Sequence, residues 1–212
     1  MVRVGKLVTI SILSVCSSGC AYQANTSNAP ARNVVTSYSN KIPGKWSLLI
    51  EADRLNTTVR SEGLQCSAHT FPVNFTTGFP ASVRETLPNV ITQVDEVELG
   101  AEHSPASNKT RGLIQVRGDN LQARLKIVPG FWSANVVVDV DITVAVTVDN
   151  GSGRIFGKTF DGRGHADRPS GMFCSGGAEA VKAAAEEAQR DVLRHIAEDL
   201  ANSERLRSGR GS

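Results

Sequence analysis

Aromatic side chains are scarce in this sequence, 5% of 212 residues with only two Trp and two Tyr, and neither sign of charge dominates, with 23 Lys and Arg against 21 Asp and Glu. Arg3 and Lys6 belong to an N-terminal leader that carries no acid, so 23 less those two leaves 21 against 21 in the mature chain. A neutral chain lacks the concentrated cations that track a phosphate backbone, and no nucleic-acid partner is expected. Long apolar runs are missing too. The best, Leu7 to Val15, is about half of the ~18–20 residues that cross a bilayer as a helix, and the Val-rich stretch at 136–148 is broken by Asp139 and Asp141. Signatures of catalysis are equally absent: there is no His-Glu-x-x-His and no Gly-x-Ser-x-Gly. What remains, 40% hydrophobic residues and 19 Gly, is the mix of one ordinary globular domain.

The first 19 residues have the build of a secretion signal. Arg3 and Lys6 are followed by the short apolar run, then by the small residues Ser17, Ser18 and Gly19. Next comes Cys20. Ser18-Gly19-Cys20-Ala21 resembles the end of a bacterial lipobox, whose cysteine is acylated, with palmitate among the chains, and becomes the mature first residue. The resemblance implies a membrane partner through the N-terminal lipid. Ala21 after the cysteine implies an outer-membrane address facing the periplasm. The alternative is an ordinary secretory leader with Cys20 an incidental thiol. Two acyl chains or more bury far more methylene than one marginal myristoyl group, at about 0.8 kcal/mol per CH₂, so such an anchor is stable. Cys16 departs with the leader, leaving Cys66 and Cys174, which in an oxidising compartment are expected to form a disulfide. A nucleophilic or metal-binding thiol is the competing reading.

Residues 20–40 are polar and small, with Arg32 their only charge, and are expected to form a flexible tether spanning roughly 25 Å as a coil. Val34 and Val35 could instead add a short strand. A single domain is expected over 41–201, with 202–212 a disordered basic tail. Within the domain, Trp46, Leu48 and Ile50 alternate with other residues as in a strand, and Leu64 to Val73 reads as extended. Phe79, Val83 and Leu87 recur every fourth residue, with Pro80 suited to a first helical turn and Pro88 ending or kinking the helix. Val90 and Val94 could continue its face; Val94 to Leu99 reads as a strand and 100–109 as a polar loop. Leu121, Ala123, Leu125 and Ile127 alternate in another strand. Alternate residues from Val136 to Val148 share one face of a long strand, and Asp149-Asn150-Gly151 signals a hairpin into an antiparallel return strand at 154–160. Val181, Ala185, Ala188, Val192, Ile196 and Leu200 form the inner stripe of a helix over 178–200. The expected fold is α+β: a mostly antiparallel sheet packed with two helices in two layers.

Two strings invite chemistry. Gly151 to Thr159 ends in Gly-Lys-Thr like a phosphate-binding loop, but Ser152 stands where that motif needs Gly, and the string lies on an expected strand rather than at a helix start, so no nucleotide is expected. Asp161-Gly162-Arg163-Gly164-His165-Ala166-Asp167-Arg168 reads as a Gly-rich loop in which Asp161, His165 and Asp167 could hold a ligand or divalent metal, or His165 could pair with Ser170 or Ser175. The competing reading is a solvated turn. His69 and His195 read as surface or cap residues. Asp139 and Asp141 share a strand face as solubilising groups. No catalytic residue, resident metal or cofactor is expected.

Lys158-Thr159-Phe160-Asp161-Gly162, followed by Gly176-Gly177-Ala178-Glu179-Ala180, together with the lipobox-like start and the Val-rich strand, resembles small Gram-negative outer-membrane lipoproteins of the YajG type. The resemblance implies a non-enzymatic accessory or adaptor protein of the bacterial cell envelope, meeting an envelope protein partner through a sheet edge or an exposed helix face. The alternative expectation is a periplasmic ligand- or metal-binding protein using the 161–175 loop.

Overall fold

Period-two alternation and one long helical stripe build, in the computed structural model, a sheet with helices on one face. Residues 22–62, 66–98, 110–131 and 133–208 are described. The strands in chain order are β1 (Ala24–Asn25), β2 (Ile42–Glu51), β3 (Asn56–Glu62), β4 (Thr70–Asn74), β5 (Ile91–Glu96), β6 (Gly112–Pro129), β7 (Ala134–Asn150) and β8 (Gly153–Pro169). The helices are α1 (Gly78–Thr86), α2 (Gly176–Ala201) and the short α3 (Glu204–Ser208). α1 passes at Leu87–Asn89 into a 3₁₀ turn containing Pro88, whose missing N–H cannot continue the helical ladder.

β6, β7 and β8 form a long antiparallel meander. The other edge of β6 carries two shorter strands laid end to end in its own direction, β2 against Leu113 to Arg117 and β3 against Leu125 and Lys126. β5 runs parallel beside β2, β4 antiparallel beside β3, and β1 parallel beside β4. The expectation of a mostly antiparallel sheet therefore holds for the long pairings, whereas β2 is parallel to both its neighbours, and α3 is a third helix. Between Gly118 and Asn120 the β6–β7 register slips; a side chain at Gly118 would run into fully buried Leu55 at the β2–β3 junction.

The core lies between sheet and helices. Alternate residues Val136 to Val148 of β7 are all completely buried, as are Val181, Ala184, Ala185, Ala188 and Val192 of α2. α2 lies across β7 and β8, and α1 beside α2. Each such aliphatic side chain contributes on the order of 1.5–3 kcal/mol of transfer free energy, which makes this interface the main source of stability.

Residues 22–40 are not a free tether. Most of their side chains are too short to build a stripe, yet Ala24, Ala29 and Ala31 are buried. Beyond β1 the segment runs as a strap between the helices, its backbone amides taken by side chains: Ser27 N–H by Glu186 (3.1 Å), Ala29 N–H by Ser82 (2.7 Å), Ala31 N–H by Thr86 (3.0 Å), Val35 N–H by Glu198 (3.2 Å) and Ser37 N–H by Asn202 (2.7 Å). The tail expectation fails through residue 208, because α3 buries Leu206 and Arg207 stacks 3.9 Å over the Tyr38 ring while donating to the Ala201 and Asn40 carbonyls. The leader, Cys20 and residues 209–212 lie outside the described residues.

Cys66 and Cys174 are joined in a disulfide, tying the β3–β4 connection to the turn before α2 with 6.0 Å between their Cα atoms. Both have positive φ, 58° and 64°, a conformation non-glycine residues seldom adopt.

Candidate functional site

The Gly-rich string read as a loop is the second half of β8. Asp161, Arg163, His165 and Asp167 point outward, while Gly162, Gly164 and Ala166 are buried beneath α2. A Cβ at Gly162 would stand 2.6 Å from Val192 Cβ, and one at Gly164 would collide with the Ala184 carbonyl. These glycines serve close backbone approach, not turning.

The strand geometry also separates the expected ligands. Asp161 and His165 are four residues apart on one face, about 13 Å at ~3.3 Å per residue, too far to share one ion. Among the described residues no group of three His, Cys, Asp or Glu side chains converges as a metal site. The outward face is instead a lattice of cross-strand pairs. Asp139, opposite His165, contacts its Nδ1 at 2.8 Å. Thr143 donates to Asp161 at 2.8 Å, and Asp141 faces both Arg124 (3.4 Å) and Arg163 (3.6 Å). Hydrogen bonding to Asp139 raises the His165 pKa against the opposing effect of desolvation, helped by the charges of Asp139, Glu187 and Asp167. Ser170 and Ser175 lie beyond the strand end, near the start of α2, and not in this lattice.

β8 is an edge strand, and α2 seals its open side. Residues Glu187, Asp191 and His195, one helical turn apart, reach three successive outward backbone groups: Glu187 accepts from His165 N–H (3.1 Å), Asp191 from Arg163 N–H (3.1 Å), and His195 Nδ1 donates to the Asp161 carbonyl (3.2 Å). Arg194 donates to the other His195 nitrogen at 2.9 Å, consistent with the proton on Nδ1. Burial works to raise the Asp191 carboxyl, but hydrogen bonds from Arg194 and the Arg163 amide, with the charges of His195 and Arg194, outweigh it and hold the group below the usual carboxylate range. Strand addition along 161–165 is thereby blocked.

Beside this seal the strap and α2 enclose an open cleft of about 590 Å³ lined by Arg32, Arg163, Arg190, Arg194, Glu187 and Asp191. Arg194 is held by Asp191 (2.7 Å) and Glu198 (3.3 Å). Among the described residues no hydrogen bond or ion pair engages the Arg32 or Arg190 guanidinium. Two uncommitted guanidiniums facing one concavity suit a carboxylate or phosphate, which the planar fork meets with paired hydrogen bonds. Sequence reading missed this cleft because Arg32 and Arg190 are 158 positions apart and only the strap brings them together; the available signal was Arg32 as the lone charge of its segment.

No family model matches the sequence, and no curated protein is similar to it. Among solved structures, the chain is similar to a Xanthomonas campestris protein assigned to the family DUF330, with TM-score 0.46 and 16% identity, covering 86% of this chain and 95% of that one. It is similar to a homolog of the neuraminyllactose-binding hemagglutinin from Helicobacter pylori, with TM-score 0.47 and 10% identity over 85% and 95% of the two chains. A minor lipoprotein from Acinetobacter baumannii gives TM-score 0.41 and 11% identity over 74% and 90%. At these TM-scores the likeness assigns neither function nor residue roles.

Proposed function

We propose that this chain is a non-enzymatic, lipid-anchored adaptor of the bacterial envelope, attached through Cys20 to the outer membrane on its periplasmic side and holding an acidic group of another envelope protein in the arginine cleft. The observation that carries this reading is the strap. It fixes residues 22–37 to the folded body, so the lipobox-like Cys20 precedes the body by only two residues, and it supplies Arg32 to the cleft. Anchor and binding surface are thus one built unit. The resemblance of residues 18–21 to a lipobox supports the acyl attachment. At 161–169 a strand occupies the string expected to form a loop and spreads Asp161, His165 and Asp167 along its outward face, and among the described residues no three His, Cys, Asp or Glu side chains gather as a metal site.

Intact mass of the chain purified from membranes is expected to show the leader removed and fatty-acyl mass on Cys20. A photocrosslinker at position 33 is expected to capture one envelope protein, and Arg32→Glu with Arg190→Glu to abolish that adduct while His165→Ala preserves it. A bare N-terminus would sink the anchor; an adduct indifferent to both arginine changes would sink the cleft.

A further inference from the structure

Four large apolar side chains stand exposed among the described residues, and three of them gather at one end of the sheet. Val128 is 49% exposed near the end of β6, Phe131 is 89% exposed in the β6–β7 turn, and Met172 is 79% exposed just beyond β8. Register places them together: Pro129 pairs with Ala134, Asn135 with Pro169, and Ser170 N–H donates to the Ala134 carbonyl. The fourth, Val35, lies toward the opposite end, where its amide meets Glu198 in the last turns of α2.

The N-terminal chain leaves the body toward that same apolar end. β3 runs parallel to β6, and Arg60 of β3 pairs with Thr70 of the antiparallel β4. β1 is parallel to β4, so the chain traced backward from Ala24 heads in the direction in which β6 points. Tyr22 N–H is bonded to the Thr70 carbonyl, level with Arg124 of β6. From there Pro129 is five residues on, about 17 Å. The two residues that separate position 20 from Tyr22 can span at most about 7 Å of that distance.

We propose that Val128, Phe131 and Met172 form a membrane-contacting tip that rests in the interfacial region of the bilayer holding the N-terminal lipid. The occupant is a lipid surface rather than a protein partner because the chain at Tyr22 and the apolar side chains head for one end of the body, and a link of two residues keeps position 20 about 10 Å or more short of the level of Pro129, so that the apolar tip reaches past the anchor toward the bilayer. The body then stands with β6 to β8 rising from the membrane, the β7–β8 turn at Asn150–Gly153 pointing away and the arginine cleft on its flank. This inference takes its anchor from the proposed function, and its test separates the two.

The test uses the full chain, expressed with its leader and reconstituted into vesicles of phosphatidylethanolamine and phosphatidylglycerol, with an environment-sensitive coumarin amino acid introduced at position 131, 172 or 152. Labels at 131 and 172 are expected to be shielded from iodide several-fold relative to the label at 152, and to be quenched by nitroxide-bearing lipids. An acylated, vesicle-bound protein whose 131 and 172 labels are as open to iodide as that at 152 keeps its anchor and overturns the tip. If the mass shows no acyl chain, the anchor falls, and flotation decides the rest: unlipidated chain floating with its 131 label shielded upholds the tip, whereas chain left in solution overturns it. Placing the label separately at 131 and 172 ensures that one misfolded variant does not decide the outcome.

Discussion

The two faces of the second half of β8 carry residues from one short string, yet they answer to different physics. Gly162, Gly164 and Ala166 face α2, and at the two glycines a single added methyl meets helix backbone. Asp161, Arg163, His165 and Asp167 face outward, where charges alternate across strands and water fills what they leave. On the inner face shape is specified nearly atom by atom. On the outer face the requirement is alternation of sign, since like charges opposite one another would repel. Identity is therefore fixed by volume on one side and tolerated on the other.

The largest effect expected from this contrast is at Gly164. Gly164→Val must displace α2, because the added atoms fall on the Ala184 carbonyl and within 2.5 Å of the Ala188 amide. Overpacking against backbone belongs at the upper end of its usual range, about 3 kcal/mol or more. Neighbouring Arg163→Val is expected to leave the denaturation midpoint nearly unchanged. Equal midpoints for the two variants in urea unfolding would break the comparison, since α2 would then not be pinned to this strand.

A smaller effect is expected where the faces meet, at the sealed edge. Asp191→Ala leaves the Arg163 amide without its acceptor and removes one of the two carboxylates that hold Arg194, Glu198 remaining. The loss is about 1 kcal/mol, the low end for such a group because Asp191 is 27% exposed. Because the folded-state pKa of Asp191 lies below its ordinary 3.8, its contribution is present above that value and is lost as pH falls through the depressed one. The difference between wild type and Asp191→Ala should thus be constant near neutrality and vanish in strong acid, with faster Arg163 amide exchange at neutral pH. A difference that persists unchanged at pH 2 would assign the effect to packing instead.

The same contrast decides what could be read from sequence. The Val136 to Val148 face, the hairpin at 149–151, the α2 stripe and the helix near Phe79 were legible because side-chain volume repeats with the period of the backbone. Gly162 and Gly164 were not, since glycine that admits a helix is written with the same letter as glycine that turns a chain. The strap was illegible for a related reason: Ala29 and Ala31 are held by their amides, which no periodicity records. Strand β3 was missed because Thr57, Thr58, Arg60 and Ser61 dilute the one fully buried aliphatic, Val59. Val90 and Val94 flank the start of β5 and sit on it, respectively, rather than extending the helix, since Pro88 had already diverted the chain. Parallel pairing of β2 with β5 and β6 has no local signal at all. Of the expected site, Asp161, His165 and Asp167 do share a face, as alternation requires, but the strand spreads them instead of gathering them.

The smallest effect sharpens the comparison from the open side. His165 is exposed, and its partner Asp139 sits opposite on β7 at 2.8 Å. Holding the proton through that hydrogen bond puts the folded-state pKa above the ordinary 6.5. A raised value means the pair's contribution is complete below the ordinary histidine pKa and disappears as pH rises through the raised one. His165→Gln is therefore expected to leave the melting temperature unchanged within error at pH 8 and to lower it slightly at pH 5.5. The direct measurement is the NMR titration of the His165 ring, whose midpoint should lie above 6.5 in wild type and move down in Asp139→Asn. A midpoint indifferent to that substitution would mean the cross-strand pair does not persist in solution, and the ordered charge lattice of the outer face would lose its best-defined member, whereas the inner face would be untouched.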